Sequence, residues 1–194
     1  PEEMRQKLAL FCNVRREDII QNLTAPTLYE VPLMLEHEGL ADAVCHHLGL
    51  ENHKPDLTGW SNMVNRQKNA YKKVTIGVGG KYVALPDAYI SISESLRHAG
   101  IPNDADIDIR LIDSEEVTEE NAHEMLGECD GILVPGGFGD RGIEGMVAAA
   151  HYARTHEIPY FGIRLGMPIS VIEFARNVLH FDDATSAEFA EGSQ

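Results

Sequence analysis

The chain has 194 residues, 43% of them hydrophobic and 24% charged, and its 16 Lys and Arg stand against 31 Asp and Glu for a net charge of −15. This mixture supports a packed core and argues against wholesale disorder, and without a basic stripe nucleic acid is a poor partner. No apolar run spans a bilayer and no signal-peptide pattern is present, so no membrane partner is expected.

Three well-separated cysteines, Cys12, Cys45 and Cys129, form no C-x-x-C pair. They suit a reducing cytoplasm rather than a disulfide or zinc framework, and each is expected to be a small buried apolar residue. The chain opens on Pro1 with no initiator Met, in mid-pattern, and reads as an excised piece.

Leu8-Ala-Leu-Phe-Cys12 is a continuous apolar run behind Lys7, the pattern of a strand buried on both faces. Leu28 to Glu38 predicts a helix with Pro32 near its first turn and Gly39 as its stop, and Ala41 to Leu48 a second helix ended by Gly49. The polar stretch Glu51 to Asp56, with Pro55, predicts a linker, followed by a short helix over Trp60 to Lys68.

From Val74 the texture changes. Strand-like runs at Val74–Val78, Asp106–Ile112, Gly131–Val134 and Pro159–Ile163 alternate with helical patterns over Asp87–His98, Thr118–Gly127, Glu144–His156 and Ile169–Val178. Such alternation argues an α/β fold, a doubly wound, mostly parallel sheet with helices on both faces. Ligands in these sheets sit beyond the carboxyl ends of the strands. Here those ends are Gly79–Tyr82, Asp113–Ser114, Pro135–Gly139 and Arg164–Met167.

Within Pro159–Met167, Gly162 and Gly166 flank Arg164 at minus two and plus two. That is the spacing of a nucleophile elbow, where small neighbours let a strand turn sharply into a helix and present the central side chain. From spacing alone the plainer reading, a glycine-rich turn of a doubly wound fold, is the stronger. Leu133-Val-Pro-Gly-Gly-Phe-Gly139 adds a loop whose backbone N–H groups can converge on a developing oxyanion, with Leu165 N–H as the second donor. Together the two make the layout of an acyl-transfer site.

Weaker signals take bland readings. Gly77-x-Gly-Gly-Lys81 fits neither a Walker loop nor a dinucleotide fingerprint, Asp104–Asp108 reads as a solvated edge, and His98, His151, His156 and His180 as residues of solvated helix faces. Lys81 and Tyr82 are candidates for lining a domain interface.

Five strings carry a resemblance: Leu8–Val14, Leu28–Pro32, Gly80–Tyr82 with Leu85–Tyr89, Leu133–Gly139 with Arg141-Gly142, and Val171–Asn177. On these the chain resembles the CTP synthase family from Lys7 to Phe189. The resemblance implies the C-terminal segment of a P-loop-type α/β amidoligase domain over 1–50, a linker over 51–72, and over 73–194 a class I glutamine amidotransferase domain of flavodoxin-like form, ending before its His-Glu pair. The family forms CTP from UTP, using ATP with Mg2+ and ammonia from glutamine, and works as a homotetramer. By the same resemblance Lys7 matches a lysine of the UTP site, and Leu23, Thr24 and Ala25 a stretch beside ATP. Gly137, Leu165, Gly166, Met167 and Pro168 fall at the glutamine pocket, and Glu188 at the glutamate that holds the substrate's amino group.

Ala187 is a small departure from the family, and two others are not small. Arg164 stands at the nucleophilic cysteine and Pro168 at a glutamine. A guanidinium stays protonated and cannot attack an amide carbon, so the expectation is a site that does not turn over. The resemblance implies no bound cofactor for this piece itself. Alternatives are a non-catalytic glutamine- or anion-binding regulatory module, sequence decay at both positions, and another class I amidotransferase such as the glutaminase part of GMP synthase, which leaves residues 1 to 50 unaccounted for. Unpartnered apolar surface is expected to make the isolated chain aggregate or bind a hydrophobic dye.

Overall fold

The computed structural model describes residues 2–188, with the side chain of Pro86 left aside; Phe189, the last residue of the resemblance, lies outside the described residues. They fall into two compact units, one up to Asn69 and one from Ala70 onward.

The first unit is helical among its described residues: α1 (Glu2–Cys12), α2 (Val31–His37), α3 (Leu40–Leu48) and α4 (Thr58–Lys68). Pro32 sits in the first turn of α2, where a missing N–H does no harm. Gly39 and Gly49 bracket α3 with left-handed φ of 84° and 65°, and the Leu50 N–H closes its end on the Cys45 carbonyl at 2.9 Å, a Schellman stop. Residues 51–57 have no regular structure, and α4 packs back onto this unit. Trp60 Nε1 donates to the Tyr29 carbonyl at 2.6 Å, and Lys68 pairs with Glu30 at 3.0 Å.

One element differs from expectation. Leu8–Cys12 lies in helix α1, not a buried strand, with Leu10 80% and Phe11 84% exposed. A lone strand would leave its backbone groups unpaired, and no strand exists among the described residues of this unit to accept it. A helix satisfies those groups internally, and Glu2 and Glu3 in its first turn favour the positive end of its dipole. Cys12 is accordingly exposed and Cys45 half-buried, so of the three cysteines expected to be buried only Cys129 is.

The second unit is α/β. Strands β1 (Lys72–Gly80), β2 (Ala105–Asp113), β3 (Gly131–Val134) and β4 (Tyr160–Gly162) pair in parallel in the order β2-β1-β3-β4. They alternate with α5 (Ile90–Gly100), α6 (Ala122–Leu126), α7 (Ile143–Thr155) and α8 (Gly166–Asn177). The strand order reverses between β1 and β3, and right-handed crossovers therefore carry the helices to opposite faces. β3 is buried along its whole length. Helix α7 packs closely because Ala148, Ala149, Ala150 and Ala153 face a core built with Leu126, Ile132, Ile169 and Ile172. β2 is an edge, and its acidic residues alternate outward: Asp106 pairs with Lys73, and Asp108 lies 3.5 Å from Arg110.

Candidate functional site

At the carboxyl end of β4 the chain turns from Gly162 through Ile163 and Arg164 into α8. Arg164 holds a φ of 53°, the left-handed region that side-chain-bearing residues rarely occupy. Three bonds tie the turn down. Ile163 N–H donates to the Val134 carbonyl of β3 at 2.9 Å, Gly166 N–H to Ile163 at 3.1 Å, and Met167 N–H to Arg164 at 3.0 Å. The flanking glycines are sterically required. A Cβ on Gly162 would meet Gly166 backbone at 2.3 Å, and one on Gly166 would meet the Val134 carbonyl oxygen at 2.2 Å. Tyr160, whose phenol burial pushes its pKa up, donates its hydroxyl to the Gly166 carbonyl at 2.8 Å. Pro168 lies in the first turn of α8, where its ring is tolerated.

Facing the turn is the loop after β3. Pro135 is fully buried, Phe138 projects 75% exposed, and Gly139 takes a φ of 75°. Gly136 leaves room for Arg164, whose Cβ, Cγ and Cδ would lie 3.4–3.8 Å from a Cβ placed there. The loop is braced from below by Lys81, only 3% exposed, whose Nζ donates to the Gly139 carbonyl at 2.7 Å and to the Phe138 carbonyl at 3.1 Å. Burial lowers the Lys81 pKa. The Phe138 N–H is taken by the Tyr82 hydroxyl at 3.3 Å, and the Tyr89 hydroxyl accepts from Tyr82 N–H at 3.1 Å. Arg141 anchors the far side, on the Lys81 carbonyl at 2.8 Å and the Glu115 carboxylate.

Elbow and loop enclose a cleft of about 590 Å³. Of the residues carried over from the resemblance, Gly137, Arg164, Leu165, Met167, Pro168 and Glu188 line it; Gly166 lies behind, against Val134. The cleft opens where the strand order reverses, the place such sheets bind ligands. Among the described residues no histidine lines it. His151 departs from its expected solvated position: it is half-buried and bonds Glu173 at 2.9 Å, while His156 stacks on Tyr152 with centroids 3.9 Å apart.

Sequence reasoning missed the bracing of the loop. Lys81 was a candidate for an interface, yet it lies inside this unit under the loop; the signal that finds it is a lysine directly after a strand's closing Gly-Gly at the switch point. It also missed Glu173, 2% exposed, bound by Arg154 at 2.8 Å, His151 and Asn177. Burial alone would raise the Glu173 pKa, but those three donors hold it below the usual carboxylate range.

In the first unit, Lys7, Leu23 and Thr24 are exposed and Ala25 half-buried. A cleft of about 500 Å³ is lined by Arg5, Arg15, Arg16, Glu38 and Asp42 among others, and by none of those four. Among the described residues no group of three or more His, Cys, Asp or Glu could hold a metal ion, and no helix is long and apolar enough to cross a membrane.

Comparison with known proteins adds an independent line. Residues 84–192 match the family described as glutamine amidotransferase class-I, and residues 1–50 that described as CTP synthase N-terminus. The chain is 58% identical over 190 residues to a CTP synthase of Ruminiclostridium cellulolyticum, covering 98% of this chain and 36% of that protein. It is 55% identical over 188 residues to a CTP synthase of Halalkalibacterium halodurans, covering 97% and 35%. The chain thus spans about a third of the length of the curated relatives it matches. Among solved structures, the Trypanosoma brucei CTPS glutaminase domain with bound acivicin superposes with a TM-score of 0.58 at 45% identity, over 62% of this chain and 47% of that one.

Proposed function

The chain belongs to the CTP synthase family, its residues 84–192 to the class I glutamine amidotransferase part, and on that premise we propose that its second unit keeps the amino-acid pocket of a glutaminase site but cannot carry out the covalent step. One observation carries the reading. Arg164 occupies the tip of a glycine-flanked, left-handed elbow that faces the Gly136-Gly137 loop across a cleft shared with Glu188.

The chemistry follows from the side chains. Glutamine hydrolysis at such an elbow needs a thiolate to attack the side-chain amide carbon, expelling ammonia and leaving a thioester that water then opens. The developing oxyanion takes its bonds from backbone N–H groups, for which Gly137 and Leu165 are the assigned donors. Glu188, a carboxylate at the rim, is assigned to the substrate's ammonium. A guanidinium has no lone pair to offer at neutral pH, so the pocket binds without opening the amide.

The rest of the family's reaction comes to this chain as proposal only: CTP made from UTP with ATP and glutamine-derived ammonia, in a cytoplasmic homotetramer. We assign residues 1–50 to the amidoligase side, 51–72 to the linker and 73–194 to the amidotransferase side, with Lys7 at UTP and Leu23, Thr24 and Ala25 beside ATP. The described residues offer no donor set for Mg2+, and no step on this chain is routed through it.

The test is ammonia release from L-glutamine by the purified chain. No release above a protein-free control is expected, and turnover would refute the proposal. The double variant Arg164→Cys, Pro168→Gln is expected to stay inactive, because no histidine lines the cleft to activate a thiol.

A further inference from the structure

Resting on the reading of the cleft as an amino-acid pocket, we infer that it selects an amino acid whose side chain ends in a carboxylate, L-glutamate in preference to L-glutamine. Acidic residues outnumber basic ones 31 to 16. Eight arginines, Arg5, Arg15, Arg16, Arg97, Arg110, Arg141, Arg154 and Arg176, each reach a carboxylate. Among the described residues Arg164 reaches none, although Glu188 lines the same cleft. Two opposite charges that share a cleft without pairing suit a ligand carrying both signs.

The elbow residue is the one that must meet the side-chain carbonyl carbon for the covalent step, and Arg164 brings a longer side chain, ending in a guanidinium, into the lining of the same cleft. Its stem lies along Gly136, which fixes the approach. A guanidinium offers a fork of N–H donors and no acceptor. A carboxylate answers that fork with two oxygens. A terminal amide answers with one oxygen and turns its NH2, two more donors, against the donors of the arginine. Specificity therefore comes from an unfavourable contact to glutamine as well as a favourable one to glutamate. At the other end Glu188 supplies the partner for an ammonium, which separates an amino acid from a plain dicarboxylate.

Isothermal calorimetry on the full chain tests this with L-glutamate, L-glutamine and glutarate, using the parent chain and Arg164→Ala, with far-UV circular dichroism confirming that the variant folds. Expected is glutamate binding at least tenfold tighter than glutamine and than glutarate, with the glutamate preference lost in Arg164→Ala while glutamine binding is kept. Equal affinities for glutamate and glutamine in the parent chain overturn the inference and leave the pocket reading standing. So does a parent chain that binds neither amino acid while Arg164→Ala binds glutamine. Glutarate as tight as glutamate makes the cleft a plain anion site and overturns it too. No amino-acid binding by either protein removes the pocket reading and the inference together.

Discussion

Gly166→Ala tests whether the elbow is held by close backbone approach or merely decorated with glycine. The added Cβ would lie 2.2 Å from the Val134 carbonyl oxygen and 3.0 Å from its carbon. An unstrained non-bonded contact is about 3.5 Å, so α8 and β3 must part by roughly 1 Å. Neither can yield cheaply, since Val134 and Ile169 are both 0% exposed. Overpacking of this kind costs about 1–3 kcal/mol, against which alanine regains at most about 1 kcal/mol of helix propensity. With that regain in full, the net expectation is a destabilisation of up to about 2 kcal/mol, read as a lower urea midpoint by far-UV circular dichroism. The same oxygen accepts the Ile163 N–H at 2.9 Å, so that amide should exchange with solvent faster in the variant. Gly136→Ala is the control, because its Cβ would meet only the flexible Arg164 side chain at 3.4 Å. A midpoint for Gly166→Ala that matches or exceeds the parent's, with Ile163 protection unchanged, refutes the packing argument.

Lys81→Met removes the donor to the Phe138 and Gly139 carbonyls while keeping an apolar stem under Gly137. Both carbonyls lie in exposed residues and can turn to water, so global stability should stay within about 1 kcal/mol, whereas amide exchange across residues 136–139 should rise; unchanged loop protection would show that Lys81 braces nothing. Glu173→Gln should destabilise the chain at pH 7 by about 1–3 kcal/mol, less than a wholly buried pair because the Arg154 and His151 side chains are 38% and 32% exposed. The folded-state pKa of Glu173 lies below its reference of 4.5, so its stabilisation is present above that value and is lost as pH falls through the folded pKa. The gap between Glu173→Gln and parent midpoints should therefore narrow as pH falls from 4.5 through the folded pKa, and a gap independent of pH would sink this account.

Much of the second unit was legible before any coordinates. Its strands announce themselves because β3 and the end of β1 are buried on both faces and read as unbroken apolar runs, while β2, at an edge, alternates acid with Ile. The elbow and glycine loop were legible because sterics admit only glycine at Gly162 and Gly166. Leu8–Cys12 misled because the pattern of a doubly buried strand is also that of a helix segment, and strand pairing depends on neighbours that local pattern does not encode. Lys81 and Glu173 stayed hidden for a related reason: a buried charge is licensed by partners far along the chain, Gly139 in one case and Arg154 in the other. Nothing local distinguishes Glu173 from a surface residue, and Lys81 is marked only by its place directly after a strand's closing Gly-Gly.

The elbow also shows how far geometry and activity can part. A non-glycine residue with a left-handed φ costs roughly 1–2 kcal/mol, and among the described residues the Arg164 side chain makes no hydrogen bond or ion pair to offset this. The turn is therefore held by its surroundings: Ile163 on Val134, Tyr160 on Gly166, and two glycines that let β3, β4 and α8 touch. None of those contacts involves the atom that would perform catalysis. A site built this way keeps its shape through loss of its nucleophile, because shape resides in the backbone and reactivity in one side chain. It follows that superposition on a glutaminase domain, and even family membership, describe the scaffold, while the loss of turnover proposed above rests on the one side chain at position 164.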